Sequence, residues 1–160
     1  MDRLIRRAVA DDADALTRLT IASKAYWGYS RSFMRKARPY LTVTPAQIAD
    51  DAIFVLETDG QIAGYYQLVE MLQRPSVIWM ESLFVGPAFI GKGVGSALFD
   101  HAAHLARSLG YASMELEADP NAEDFYLRKG AVRIGGRESG IQKGRVLPLM
   151  RITLIQDSPG

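Results

Sequence analysis

The sequence predicts a mixed α/β (α+β) fold, a mostly antiparallel sheet of about seven strands flanked by about four helices. Three observations carry this expectation. Asp59-Gly60, a pair that tolerates positive φ at both turn positions, lies between apolar runs at residues 53–56 and 62–71 and marks a β-hairpin. A second turn at Arg74-Pro75 leads into a third long run, Val77–Val85, so the middle of the chain reads as an antiparallel meander. After the meander the apolar period changes from that of a strand to that of a helix, and strands and helices then alternate.

Each element has its own local reason. Residues 4–9 form a short, partly alternating first strand, and Asp11-Asp12 supplies a helix cap with acid in the first turn. A helix over about 12–24 follows, because Ala15, Leu16, Leu19 and Ala22 recur at three- and four-residue steps while Asp14, Arg18 and Lys24 fall elsewhere on the wheel. Tyr26-Trp27-Gly28-Tyr29-Ser30 interrupts that pattern, and Ser30 caps a second helix to about residue 41. Residues 45–51 read as a turn or helix edge. Beyond the meander, Val94, Ala97, Leu98, Ala102, Leu105 and Leu109 mark a long helix that Gly110 ends in the C-terminal cap position. A strand over 113–118 comes next. The short helix expected at 121–129 carries Glu123 and Asp124 in its first turn and Arg128 and Lys129 in its last, each complementing the helix dipole. Strands at 132–134 and 145–154, separated by a Gly-rich polar loop over 135–144, finish the pattern. With no internal repeat and no linker composition, residues 1–156 are expected to form one domain and 157–160 a tail.

Composition excludes several classes of function. Lys and Arg number 19 against 18 Asp and Glu, a formal charge of +1, so no global field draws the chain to nucleic acid or to an anionic membrane. Arg6-Arg7 and Arg35-Lys36-Arg38 are therefore read as solvated charges. There is no cysteine, which removes disulfide scaffolds, Cys-ligated metals and a Cys-based covalent intermediate together. His101 and His104 stand three apart on the long helix without an evident third ligand, so no metal is expected. No apolar run of signal-peptide or membrane-span length follows the first residues, and a cytoplasmic location is expected.

The most informative segment is the glycine-rich turn between the third long strand and the long helix. Glycines at 91, 93 and 95 let backbone approach a ligand closely, and the amides at the start of the following helix attract phosphate oxygens. A pyrophosphate site is the natural reading. A nucleotide-triphosphatase loop would need Ser or Thr after Lys92 to hold magnesium, and Gly93 stands there. A dinucleotide fold would need its glycines directly after the strand and a third glycine where Ser96 stands, and an antiparallel meander is the wrong start for it.

Order and motif together resemble the GNAT acetyltransferase superfamily along nearly the full chain. That family's coenzyme turn reads Arg/Gln-x-x-Gly-x-Gly/Ala, and the aligned stretch here is Ile90-Gly91-Lys92-Gly93-Val94-Gly95. Ile90 replaces the usual Arg or Gln, which leaves the backbone cradle. A second motif, Asn, Ala and a Phe-Tyr pair after the next strand, is matched by Asn121, Ala122, Phe125 and Tyr126.

The resemblance implies a V-shaped splay between strands 4 and 5 that admits the pantetheine arm, acetyl-coenzyme A as co-substrate, and direct attack by an amine. By the same resemblance, Leu83, Phe84 and Val85 border the pantetheine, with a backbone amide near Leu83 meeting the oxyanion. Ser96 donates to a phosphate, Asn121 holds the pantetheine, and Tyr126 protonates the departing thiolate. A phenol suits that task because it is protonated at neutral pH. The same tyrosine also reads as a core residue with a satisfied hydroxyl. Glu81 stands on its strand where many members place a base or water-ordering carboxylate. It is either a cleft carboxylate, buried in a strand with two apolar faces and so raised in pKa, or an outward charge. Tyr26, Trp27 and Tyr29 fall in the segment that borders the acceptor cleft, and Trp27 reads equally as a plug beneath its loop. The expected partner is a small-molecule amine, the chain acting as monomer or homodimer. A non-catalytic acetyl-coenzyme A sensor is the alternative.

Overall fold

A computed structural model describes residues 2–155; the expected tail at 157–160 lies outside them. Seven strands join in the order β1-β2-β3-β4-β5-β7-β6. They are β1 (Arg3–Arg7), β2 (Ala52–Thr58), β3 (Gln61–Glu70), β4 (Val77–Val85), β5 (Ser113–Glu117), β6 (Val132–Glu138) and β7 (Val146–Thr153). The α-helices are α1 (Ala13–Ala25), α2 (Arg31–Leu41), α3 (Pro45–Asp50), α4 (Val94–Ser108) and α5 (Glu123–Arg128). Among the described residues no helix is long and apolar enough to cross a membrane. The chain divides into two compact units: residues up to Gln67 with Ser82–Phe99, and Leu68–Glu81 with the residues from Asp100 onward.

In the first unit β1 and β2 pair antiparallel, from Arg3 opposite Thr58 to Arg7 opposite Phe54. The turn after β2 is the expected one, with Asp59 at φ 52 and Gly60 at φ 80. Ser30 caps α2 by accepting from the Phe33 amide. Residues 45–51 resolve into a helix because Thr44 and Gln47 form a capping box around Pro45. A core of Leu16, Val43, Ile48, Ile53, Val55 and Tyr65 is sealed between these elements, with Phe84 of β4 packed against it. Inside it the Thr20 and Tyr65 hydroxyls lie 2.6 Å apart, so both polar tips are satisfied where water cannot reach. Gly64 has a packing reason: a Cβ there would lie 2.7 Å from the Phe84 carbonyl and 2.9 Å from Leu98, so its absence lets β3 receive both β4 and the first turns of α4.

In the second unit β4 and β5 are parallel, Val77 opposite Ser113 and Trp79 opposite Glu115. β7 pairs antiparallel with β5 on one side and β6 on the other. Met114, Leu116 and Met150 are buried as the alternation requires, but Glu115 between them is buried too. Its carboxylate accepts two bonds of 2.8 Å from Arg74 and one of 2.9 Å from Arg151. Those guanidinium groups hold its pKa below the usual carboxylate range. The last loop is shorter than expected. β6 continues through Gly135 and Gly136 to Glu138, with a register shift between Arg133 and Gly135. The glycines here belong to an irregular edge strand, where a side-chain-free position accommodates the bulge.

Candidate active site

The glycine turn belongs to the first unit. β4 ends at Val85, a 3-10 turn covers Pro87–Phe89, and Ile90 leads into Gly91 at φ 79 and Gly93 at φ 78. These two glycines hold left-handed backbone that side chains resist. Gly95 lies within the first turn of α4. The Ala97 amide donates to the Gly93 carbonyl at 3.1 Å, and the amides of Val94, Gly95 and Ser96 lie in the first turn of α4. They concentrate the positive end of a 15-residue helix at the turn. Arg3 of β1 donates its Nη2 to the Lys92 carbonyl, and the Lys92 ammonium sits 5.7 Å from the Phe89 ring centre. Beside them is an open pocket of about 260 Å³ bordered by Arg3, Asp59, Gln61, Phe89 and Lys92.

Leu83, Phe84 and Val85, in the same unit, are each half-buried. The loop between α1 and α2 carries the expected aromatics. Tyr26 and Trp27 meet edge to face at 5.4 Å, and Tyr29 stacks on Phe33 at 4.2 Å with Lys24 over its ring. Trp27 is 46% exposed, so it is not a plug beneath the loop.

The second unit holds Glu81, Asn121 and Tyr126. Of the two readings of Glu81, burial between apolar faces is not what the structure has: the residue is exposed, and the Trp79 indole Nε1 donates to its Oε2 at 2.7 Å. The apolar side chains on either side of it in sequence gave a misleading picture, because alternation assigns a residue to a face but not the cover over that face. Tyr126 is buried, and burial pushes its phenol above the ordinary value, with the nearby Asp119 charge pushing the same way. The hydroxyl is therefore firmly protonated at neutral pH.

Asn121 is exposed and built into a polar hub that sequence reasoning missed. Asp119 Oδ1 accepts from the Asn121 amide and from its Nδ2, both at 2.9 Å, and Asp119 Oδ2 pairs with Arg145 at 3.2 Å. Both members of that ion pair are largely buried. The Asp-Pro-Asn spacing was the available signal, since Asp two residues before an amide is an Asx-turn former. Arg145, 26 positions away, had none. Burial and the neighbouring His104 lower the His101 pKa. Among the described residues no group of three or more His, Asp or Glu is placed to hold a metal ion.

The model of the family described as "Acetyltransferase (GNAT) family" matches residues 16–131. An uncharacterized N-acetyltransferase of Methanocaldococcus jannaschii is 28% identical over 158 residues, covering 92% of this chain and 66% of its own length, so the chain spans just under two thirds of that relative. Among solved structures, the PaiA N-acetyltransferase of Thermoplasma acidophilum in complex with coenzyme A is similar at a TM-score of 0.74 and 16% identity, over 96% of this chain and 99% of that one. YncA of Salmonella typhimurium with acetyl-CoA is similar at 0.71 and 20% identity, over 100% and 98%.

Proposed function

Because the chain belongs to the acetyltransferase (GNAT) family, we propose that it moves an acetyl group from acetyl-coenzyme A to an amine of a small substrate by direct attack. The observation that carries this reading is the turn in which Gly91 and Gly93, both at positive φ, lead straight into the N-terminus of α4. Such a turn offers backbone amides to a pyrophosphate without side-chain obstruction. That two similar folds were solved with coenzyme A and with acetyl-CoA supports the same ligand here.

The roles follow the chemistry. Amides at Gly91, Gly93 and Gly95, with Ser96, bind the pyrophosphate, the residues around Ile90, Lys92 and Val94 shaping the cradle. Asn121 hydrogen-bonds the pantetheine amides, and Leu83, Phe84 and Val85 line the pantetheine. Glu81 takes a proton from the incoming ammonium, freeing the lone pair that attacks the thioester carbonyl. The C–N bond forms, the oxyanion is met by the backbone amide at Leu83, and the C–S bond then breaks. Tyr126 gives the departing thiolate its proton and regains one from solvent, and the second proton of the attacking nitrogen leaves to solvent as the neutral amide forms. Tyr26, Trp27 and Tyr29 frame the acceptor, and no side-chain nucleophile is needed.

The test is release of free coenzyme A thiol from acetyl-CoA with spermidine, lysine, kanamycin and an alanyl peptide as acceptors. Amine-dependent release is expected with at least one. Coenzyme binding without release in any of them would make the chain a binding module instead.

A further inference from the structure

We propose that Trp79 is a positioning residue for the acyl transfer, its indole N–H fixing the Glu81 carboxylate in the orientation from which it takes the acceptor's proton. The inference rests on the reading of Glu81 as base given above. Trp79 and Glu81 are two apart on β4 and so project from one side of the strand. The indole Nε1 donates to Glu81 Oε2 at 2.7 Å, a short, charge-assisted contact.

Glu81 is exposed, so the core does not fix its side-chain rotamer, and a flexible carboxylate has to be held in place from its own surroundings. Trp79 suits that purpose. It is half-buried, its strand neighbours Ile78 and Met80 are buried, and its partner in register on β5 is Glu115, itself locked by Arg74 and Arg151. An indole N–H is a donor only, so it can orient a carboxylate without ever competing for the proton. It occupies Oε2 and directs the proton transfer to Oε1. In the base step the ammonium N–H bond breaks, an O–H bond forms on Glu81, and the nitrogen keeps its electron pair.

Two measurements on the full chain test this. The sequence has two tryptophans, and Trp79→Phe identifies which indole N–H signal in the proton–nitrogen spectrum belongs to Trp79. In Glu81→Ala, a change at an exposed site, that signal should move upfield while the Trp27 signal stays. In the second measurement, with acetyl-CoA and the fastest amine of the panel, Trp79→Phe should lower kcat about five- to tenfold with KM for acetyl-CoA unchanged. Added to Glu81→Ala it should cost nothing further, because the group it positions is already gone. An unmoved indole signal, or a Trp79→Phe loss that is undiminished in the Glu81→Ala background, would overturn the positioning role while leaving acetyl transfer intact. Full activity in Glu81→Ala would instead remove the base, and this role with it. A chain that turns over no amine in any form would fail at the acetyltransferase reading itself.

Discussion

Gly93 and Tyr126 carry the most specific demands of any single positions, and each fails differently when changed. Gly93 sits at φ 78, so a branched side chain is strained there whatever the space around it. Gly93→Val should distort the turn and abolish coenzyme A binding by calorimetry, whereas unchanged affinity would move the coenzyme elsewhere. For Tyr126 the demand is chemical. Burial keeps its phenol protonated, so Tyr126→Phe removes a donor without removing the ring that fills the site. Turnover should fall by about tenfold or more while acetyl-CoA affinity stays nearly the same, the pattern of a contact made in the transition state. Steady-state kinetics beside calorimetry separates that result from a loss confined to binding.

At the scale of elements, β5 shows what local pattern conveys and what it does not. The alternation that buries Met114 and Leu116 was legible, and so were the Asp59-Gly60 turn, the Ser30 cap and the glycine turn, because each is decided within a few residues of itself. Glu115 was not legible as a buried charge. The groups that make its burial tolerable, Arg74 and Arg151, lie 41 and 36 positions away. The same limit explains Arg145 and the exposure of Glu81.

The Glu115 cluster has a measurable consequence for β5. Its folded pKa is depressed below 4.5, so its contribution to stability is complete above that value. As pH falls from there toward the depressed value, the unfolded chain binds the proton first and stability is lost. Glu115→Gln should lower stability by about 2 kcal/mol at neutral pH and flatten the fall below pH 4.5, read from urea midpoints on both sides of that value. A fall on acidification as steep as in the unaltered chain would place the responsible carboxylate elsewhere, Asp12 beside Arg6 being the next to examine.

For the whole molecule, the order of seven strands with a parallel β4–β5 pair and a glycine turn between β4 and α4 is the arrangement of an acetyltransferase fold, and the family match covers residues 16–131. Element order was readable because the hairpin, the change of apolar period and the glycine turn occur in a sequence that few folds share. The acceptor was not, since aromatic rings suit many amines and Tyr26, Trp27 and Tyr29 single out none of them. Transfer of the acetyl group to nitrogen is the central step of the proposed reaction. Its most direct measurement is the stoichiometry of products when acetyl-CoA and an accepted amine are incubated with the chain, free thiol counted against N-acetylated amine by mass spectrometry. One acetylated amine per coenzyme A released is the predicted result; thiol release at the same rate without amine, or with acetate as the only acetyl product, would contradict it.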